Sequence, residues 1–96
     1  MTPEGKVKSK IDKLLLGRAD TWFFKPVQSG RGKPALDYIG CTRGHFWAVE
    51  AKRPGEEPTA FQRLTIIAML NAEGAVFKIS GPDGLRAFES WLVMVK

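Results

Sequence analysis

The chain has 96 residues, and its 15 lysines and arginines outnumber its 10 aspartates and glutamates, giving a formal net charge of +5 that favours anionic partners such as nucleic acid. This length predicts one domain, and an apolar fraction of 44% with three tryptophans and six phenylalanines argues against disorder. One cysteine excludes an internal disulfide, and no apolar run approaches the roughly 20 residues of a membrane span, so we expect an intracellular, cytoplasmic protein with no membrane partner.

The first predicted element is a helix that begins after Thr2 and ends at Gly17, because Thr2-Pro3-Glu4 is typical of a helix start and glycine of a helix end. Apolar residues recur along it at helical spacing, at Val7, Ile11, Leu14 and Leu15. Glu4 heads this apolar stripe and can therefore point toward the body of the protein. The alternative is a solvated acid of the first turn that pairs with Lys8, four residues further on.

A strand is predicted from Thr21 to Val27, with Pro26 near its end, and it leads into a basic, glycine-rich loop from Gln28 to Pro34. We interpret this loop either as an ordinary connection or as a segment that approaches a phosphate backbone. We expect DNA phosphates to be contacted by basic residues of the first helix, this loop and the hairpin that follows, namely Lys8, Arg31, Lys33 and Arg53. Further positive charges are expected to flank the same region, at Lys25, Arg43 and Lys52.

The stretch from Leu36 to Lys52 predicts two short strands joined by a tight turn. If Arg43-Gly44 alone forms the loop, Asp37 lies directly opposite Glu50, and a four-residue loop gives the same register. A three-residue loop instead puts Asp37 opposite Val49, on the other face of the sheet. The sequence leaves this choice open.

Two carboxylates opposed across a strand pair repel each other, so a positive charge is needed between Asp37 and Glu50. Lys52 supplies part of that charge, because it lies two residues beyond Glu50 and therefore on the same face. A divalent cation supplies the rest in our hypothesis, and carboxylate oxygens suit a hard ion such as Mg²⁺ or Mn²⁺.

A second helix is predicted from a cap at Thr59 to about Glu73, with Gly74 as its stop. We expect its core side to be the most apolar stripe, formed by Phe61, Leu64, Ala68 and Ala72 and widened by Ile67 and Leu70. Gln62 heads a neighbouring stripe, from which it either reaches the site or faces solvent in the first turn.

A fourth strand is predicted from Ala75 to Ile79, followed by a last helix whose apolar face is formed by Leu85, Phe88, Trp91, Leu92 and Val95. Val93 and Met94 leave that helix with more apolar surface than one core contact needs, which favours a partner subunit. The order αβββαβα predicts an α/β fold in which three strands form an antiparallel meander and a crossover helix returns the chain to a parallel neighbour. We therefore expect a mixed four-stranded sheet flanked by helices.

Asp37 followed by Glu50-Ala51-Lys52 resembles the D…ExK pattern of the PD-(D/E)XK nuclease superfamily, and the element order is similar to its restriction-endonuclease-like core. More narrowly, almost the whole chain resembles the VRR-NUC domain, the virus-type replication-repair nuclease module. The family usually has Pro-Asp before the second strand, and here Leu36 replaces the proline. The remaining features that carry the resemblance are Glu4, the glycine-rich approach from Gly30 to Pro34, residues Thr59 to Gln62, and Gly74.

The resemblance implies an endonuclease that hydrolyses DNA phosphodiester bonds with Mg²⁺ or Mn²⁺ as cofactor. Asp37, Glu50 and the backbone carbonyl of Ala51 would bind the metal. Glu4 would add a further metal or water contact from the first helix.

The resemblance also implies a role for Lys52, which would orient or activate the attacking water and stabilise charge on the phosphate. Gln62 would support Lys52 or the water. Short stand-alone members of the family, mostly from phages, resemble homodimers that cut branched DNA such as four-way (Holliday) junctions. We accordingly expect a homodimer of phage or bacterial origin.

The main alternative is a basic nucleic-acid-binding module without catalysis, in which Asp37 and Glu50 are structural and Lys52 touches phosphate. A third possibility is an interaction protein whose apolar last helix docks on a partner. Neither alternative accounts for a pair of opposed carboxylates, which is the feature that favours the nuclease.

Overall fold

The computed structural model describes residues 1–27 and 34–96. The predicted loop residues Arg31 and Lys33 lie outside these ranges. Within them the order αβββαβα is confirmed. The elements are α1 (Pro3–Leu16), β1 (Thr21–Phe24), β2 (Tyr38–Thr42), β3 (His45–Ala51), α2 (Ala60–Asn71), β4 (Ala75–Ile79) and α3 (Pro82–Met94).

The four strands form one mixed sheet in the order β1-β2-β3-β4. The first three strands are antiparallel neighbours, and β4 pairs with β3 in parallel after the α2 crossover. This is the α/β topology that the sequence predicted. None of the helices in the described part of the chain is both long enough and apolar enough to cross a membrane.

The core lies on one face of the sheet, where α1 and α3 cover the inward side chains of β2, β3 and β4. Trp47 of β3 is fully buried and contacts Phe88 of α3, with the two ring centroids 4.9 Å apart. Its indole ring lies over Gly40 of β2, its partner in the strand register. The fully buried side chains of α1 and α3 complete this core, at Ile11, Leu15, Phe88 and Leu92.

The opposite face of the sheet carries α2, and the helix is rotated differently from the prediction. The expected core stripe points outward, with Phe61 77% and Leu64 64% exposed, and no residue of α2 is fully buried. The partly buried stripe is instead the one that Gln62 heads, with Ile66 and Met69. The polar contacts of Gln62, described below, hold its side of the helix against the sheet, and the more apolar stripe faces outward.

Two predicted boundaries are also corrected. The first strand ends at Phe24 and not at Val27, so Pro26 lies outside the ladder, which its missing N–H cannot extend. The second helix ends at Asn71, because Glu73 adopts a left-handed φ of 65° that α-helical residues do not have.

Replacing Gly40 with alanine should destabilise the sheet that carries the site. An ideal Cβ at this position would lie 2.2 Å from Cζ2 of Trp47, and the buried indole ring has no free space to move into. We expect a loss of about 1–3 kcal/mol in the free energy of unfolding, typical of overpacking. Gly17→Ala is the matched control, because Gly17 has an ordinary φ of −81° and only normal contacts around its added Cβ. Equal urea midpoints for the two variants would contradict this packing.

Candidate active site

The turn of the central hairpin fixes the register that the sequence left open. Thr42 pairs with His45, so the loop has two residues, and both have positive φ, 48° at Arg43 and 85° at Gly44. Positive φ at both central positions is the type of turn that matches the twist of a two-residue hairpin. Tyr38 pairs with Val49 at the far end of the ladder, which puts the preceding Asp37 opposite Glu50. The three-residue loop is thereby excluded.

Asp37 lies just before β2 and reaches across to the end of β3. Its Oδ2 accepts a hydrogen bond from the backbone N–H of Ala51 at 2.9 Å. Its Oδ1 faces the ammonium of Lys8, with 3.6 Å between the two atoms. The carboxylate is therefore anchored by one oxygen and presents the other toward α1.

Glu50 is the most unusual charged group of the described residues, because it is only 3% exposed. Its Oε2 accepts a hydrogen bond from Nε2 of Gln62 at 2.6 Å and lies 3.5 Å from Nζ of Lys52. Its Oε1 is buried with no hydrogen-bond partner among the described residues. Burial raises the pKa of Glu50 from its ordinary 4.5 to about 7, with the nearby Asp37 charge acting in the same direction and Lys52 opposing it.

Lys52 follows β3 directly and remains tied to the sheet, because its backbone N–H donates to the carbonyl of Ile79 at 2.9 Å. Its side chain is buried, which a lysine tolerates only beside negative charge. The ammonium lies between Oε2 of Glu50 and Oε1 of Glu56, 3.5 Å and 3.9 Å away. Glu56 was not predicted as a site residue, because it follows β3 in a turn and spacing alone does not bring a turn residue to Lys52.

Gln62 connects the start of α2 to the site through both ends of its amide. Its Oε1 accepts from the backbone N–H of Thr59 at 2.9 Å, and the Thr59 hydroxyl accepts from the N–H of Gln62, which together form a capping box. Its Nε2 is then directed at Glu50. The solvent-facing alternative for Gln62 is wrong. The residue supports Glu50 directly, whereas the resemblance implied support for Lys52 or the water.

The first helix brings Lys8 and Glu4 to the same place. The Lys8 ammonium lies 3.2 Å from Oε2 of Glu4, the i to i+4 pair that the sequence offered as one of two interpretations. Tyr38 holds the helix there, since its single hydroxyl proton is shared between Oδ1 of Asp12 at 2.7 Å and the backbone carbonyl of Lys8 at 3.1 Å. Partial burial lowers the pKa of Lys8, but Asp37 and Glu4 outweigh it, so the pKa is raised and the ammonium stays charged.

Of the residues expected to contact phosphate, Lys8 and Arg53 lie at the site, whereas Arg43, one of the further positive charges expected to flank this region, does not. Arg53 is exposed and pairs with Glu56 at 3.2 Å. Arg43 lies at the other end of the hairpin, where it donates to the backbone carbonyls of Leu92 and Val95 at the end of α3. Arg43 is remote from Asp37 and Glu50 because it lies in the turn of the hairpin, whereas they lie at its open end, one strand length away.

The donor set fits a hard divalent cation. No group of three or more His, Cys, Asp or Glu side chains converges in the part of the chain that the structure describes. Two carboxylates lie opposite each other, and the oxygens left for a cation are Oδ1 of Asp37, which faces Lys8, and the buried Oε1 of Glu50. Mg²⁺ commonly takes one or two carboxylates and fills its remaining positions with water and substrate phosphate.

Comparisons of the chain with protein-family models, curated proteins and solved structures found no match. The resemblance to VRR-NUC domains therefore stays a prediction. The functional interpretation depends on the geometry of Asp37, Glu50, Lys52 and Gln62.

The raised pKa of Glu50 predicts that stability in metal-free buffer falls as pH rises from about 4.5 to 7. The folded protein binds a proton at Glu50 more tightly than the unfolded chain does, so the stability this gives is present below pH 4.5 and is lost as pH rises through 7. The loss is up to about 3 kcal/mol. Glu50→Gln, which is neutral throughout, should lack this loss. The measurement is urea unfolding with EDTA between pH 5 and 8, and parallel curves for the two proteins would contradict the burial of this charge.

Proposed function

We propose that the protein is a metal-dependent endodeoxyribonuclease that hydrolyses phosphodiester bonds in branched DNA. The observation that carries this proposal is a buried carboxylate, Glu50, opposite Asp37 and beside the buried ammonium of Lys52, with one oxygen that has no hydrogen-bond partner among residues 1–27 and 34–96. Burying like charges together is costly unless a cation compensates them. A divalent cation at this position would remove that cost.

Asp37 and Glu50 would hold Mg²⁺ or Mn²⁺, together with the backbone carbonyl of Ala51 between Glu50 and Lys52. When bound, a divalent cation neutralises phosphate charge and lowers the pKa of coordinated water. The two carboxylates share the sheet face that carries α2, so substrate would approach from the open end of the hairpin.

Lys52 would supply positive charge beside the pentacoordinate phosphorus of the transition state, whose oxygens gain negative charge. Because its side chain is buried and lies between two carboxylates, its position is fixed before substrate arrives. Gln62 holds Oε2 of Glu50 through an amide that the capping box orients, which leaves Oε1 available. Glu4, expected as a metal or water contact, lies one ion pair away from Asp37 through Lys8.

Affinity for DNA would come from cations around the site, the partly exposed Lys8 and the exposed Arg53, with Arg31 and Lys33 as further candidates. Phosphate contacts of this kind release counterions, so binding should weaken steeply with salt. An intracellular location, where DNA and Mg²⁺ occur together, is part of the same proposal.

A homodimer would present two such sites to a four-way junction related by the same two-fold symmetry. The outward stripe of α2 supports this part of the proposal, because Phe61, Leu64, Ile67 and Leu70 are all more than half exposed. Beside it lies an apolar groove that Phe46 and Met69 also line. A face on α2 is close to the site, since Gln62 of the same helix contacts Glu50.

A basic DNA-binding module without catalysis is the second candidate. The positive charges of Lys8 and Arg53 would serve phosphate binding in this module equally well. Glu50 would not, because a buried carboxylate with a raised pKa contributes nothing to phosphate binding and destabilises the fold near neutral pH. The nuclease is therefore the better supported function.

The nuclease proposal predicts metal-dependent cleavage that depends on Lys52. A labelled four-way junction and a matched linear duplex would be incubated with Mg²⁺, Mn²⁺ or EDTA, and products would be resolved on denaturing gels. Removing an electrostatic stabiliser of the transition state commonly costs about 10²–10³ in rate, and we expect at least that from Lys52→Met, with DNA binding retained. Lys96→Met, at an exposed position, controls for loss of one positive charge.

Cleavage of the junction in preference to the duplex would support the branched substrate. Equal cleavage of the junction and the duplex would support the nuclease proposal but contradict a preference for branched DNA. Binding without cleavage under either metal would instead favour the basic module.

The dimer proposal predicts that Leu64→Glu yields a monomer. Leu64 is exposed, so the charge should not disturb the fold, but it would have to be desolvated in an α2 interface. Val93→Glu places the same charge on the exposed face of α3, which the sequence offered as the partner surface. Sedimentation velocity should show a dimer for the parent and Val93→Glu only. A dimer that dissociates only in Val93→Glu would show that the interface is on α3 and not on α2. A monomeric parent would contradict the dimer proposal.

A further inference from the structure

Lys8 occupies an unexpected position for a residue of the first helix. Its ammonium lies 3.2 Å from Glu4 and 3.6 Å from Asp37, so it bridges an acid of α1 and one of the two proposed metal ligands. The sequence suggested only a DNA contact or a surface pair for this residue. The structure places its charge inside the site.

The oxygens of Asp37 show what this position means. Oδ2 is engaged by the N–H of Ala51, and this bond also ties the residue to the end of β3. The oxygen with capacity left for a cation is therefore Oδ1, which is the oxygen that faces Lys8. A divalent cation and the Lys8 ammonium would be drawn to the same atom.

We propose that Lys8 is the internal counter-ion of the metal-free site, and that its ammonium leaves Oδ1 of Asp37 when a divalent cation binds there. The inference rests on the proposed function, because it assumes that Asp37 is a metal ligand. In this proposal the Lys8 ammonium and the divalent cation compete for Oδ1 of Asp37. It also gives Glu4 a role, which is to retain the released ammonium near the site.

The two lysines of the site differ in how easily they can move. The side chain of Lys52 is 9% exposed and lies between two carboxylates, whereas that of Lys8 is 36% exposed. Partly exposed ion pairs are weak and exchange readily with solvent or other ions. Tyr38 holds only the backbone carbonyl of Lys8, so the four-carbon side chain can swing while α1 stays in place. Lys8 is thus the displaceable cation and Lys52 the fixed one.

The released ammonium has a second use. It stays within reach of Glu4 and beside the metal position, where a substrate phosphate would bring negative charge. A lysine ammonium is a compact charge on a flexible stem, which suits a contact that forms only when the phosphate arrives. Metal binding would thereby prepare the site for substrate.

The test measures the affinity of the protein for Mn²⁺ in the absence of DNA. Free Mn²⁺ is followed by its electron paramagnetic resonance signal during titration. The proteins compared are the parent, Lys8→Met, Lys8→Arg and Lys10→Met. Lys8→Met should bind Mn²⁺ about threefold or more tightly than the parent, because a competing ion pair is removed. Lys8→Arg should return toward the parental affinity. Lys10→Met removes the same charge from an exposed position on α1 and should show a clearly smaller change.

Equal or weaker Mn²⁺ binding by Lys8→Met would overturn the inference, and so would an equal gain in Lys8→Met and Lys10→Met, which would indicate only a change in net charge. Asp37→Asn separates this failure from that of the proposed function. If Asp37→Asn loses Mn²⁺ while Lys8→Met matches the parent, the metal site stands and the Lys8 competition does not. If Asp37→Asn binds Mn²⁺ as the parent does, both are overturned.

Discussion

The two-residue turn at Arg43-Gly44 determines that Asp37 and Glu50, the two carboxylates at the centre of the site, lie opposite each other. Asp37 and Glu50 are each six residues away from it along opposite strands, and a shift of one residue would turn one of them toward the core side. The turn itself depends on two residues in left-handed conformations, one of which is not glycine. A strained local geometry at one end of the hairpin is therefore what opposes the two carboxylates at the other end.

The site is an acidic region within a basic protein. Four carboxylates, those of Glu4, Asp37, Glu50 and Glu56, surround the two ammonium groups of Lys8 and Lys52. The chain as a whole carries an excess of five positive charges. In the proposed nuclease, separating the two signs in this way would let the surface attract a polyanion while the interior of the site attracts a divalent cation. A bound cation would also reduce the electrostatic repulsion between phosphate and carboxylates.

The sheet and the central hairpin were predictable because local chemistry specifies them. The strands and the Arg43-Gly44 turn were predicted from their own residues, and that turn allowed the correct register, although it did not exclude the other one. The rotation of α2 was not predictable from its own residues. Helical periodicity offered two neighbouring stripes, and the more apolar one was the natural choice for the core. The structure reverses that choice because Gln62 bonds both the cap of its own helix and Glu50, twelve residues earlier.

The position of Lys8 escaped prediction for a related reason. Within the sequence, its clearest neighbour is Glu4, one turn away. Its proximity to Asp37 depends on Tyr38, whose hydroxyl reaches the carbonyl of Lys8 and the carboxylate of Asp12 from the adjacent strand. These hydrogen bonds join residues about thirty positions apart, and the periodicity of neither segment predicts them.

The packing of Trp47 on Phe88 has a consequence for the order of folding during synthesis. The central strand β3 is made midway through the chain, but the ring that covers its tryptophan belongs to α3, near the end. The guanidinium of Arg43 in the turn likewise finds its carbonyl partners only at the end of α3. After β3 has left the ribosome, the large indole ring of Trp47 therefore stays uncovered until about forty further residues have been made. The hairpin that carries the site completes its packing only with the last helix, so assembly of the site is a late event in the life of the nascent chain.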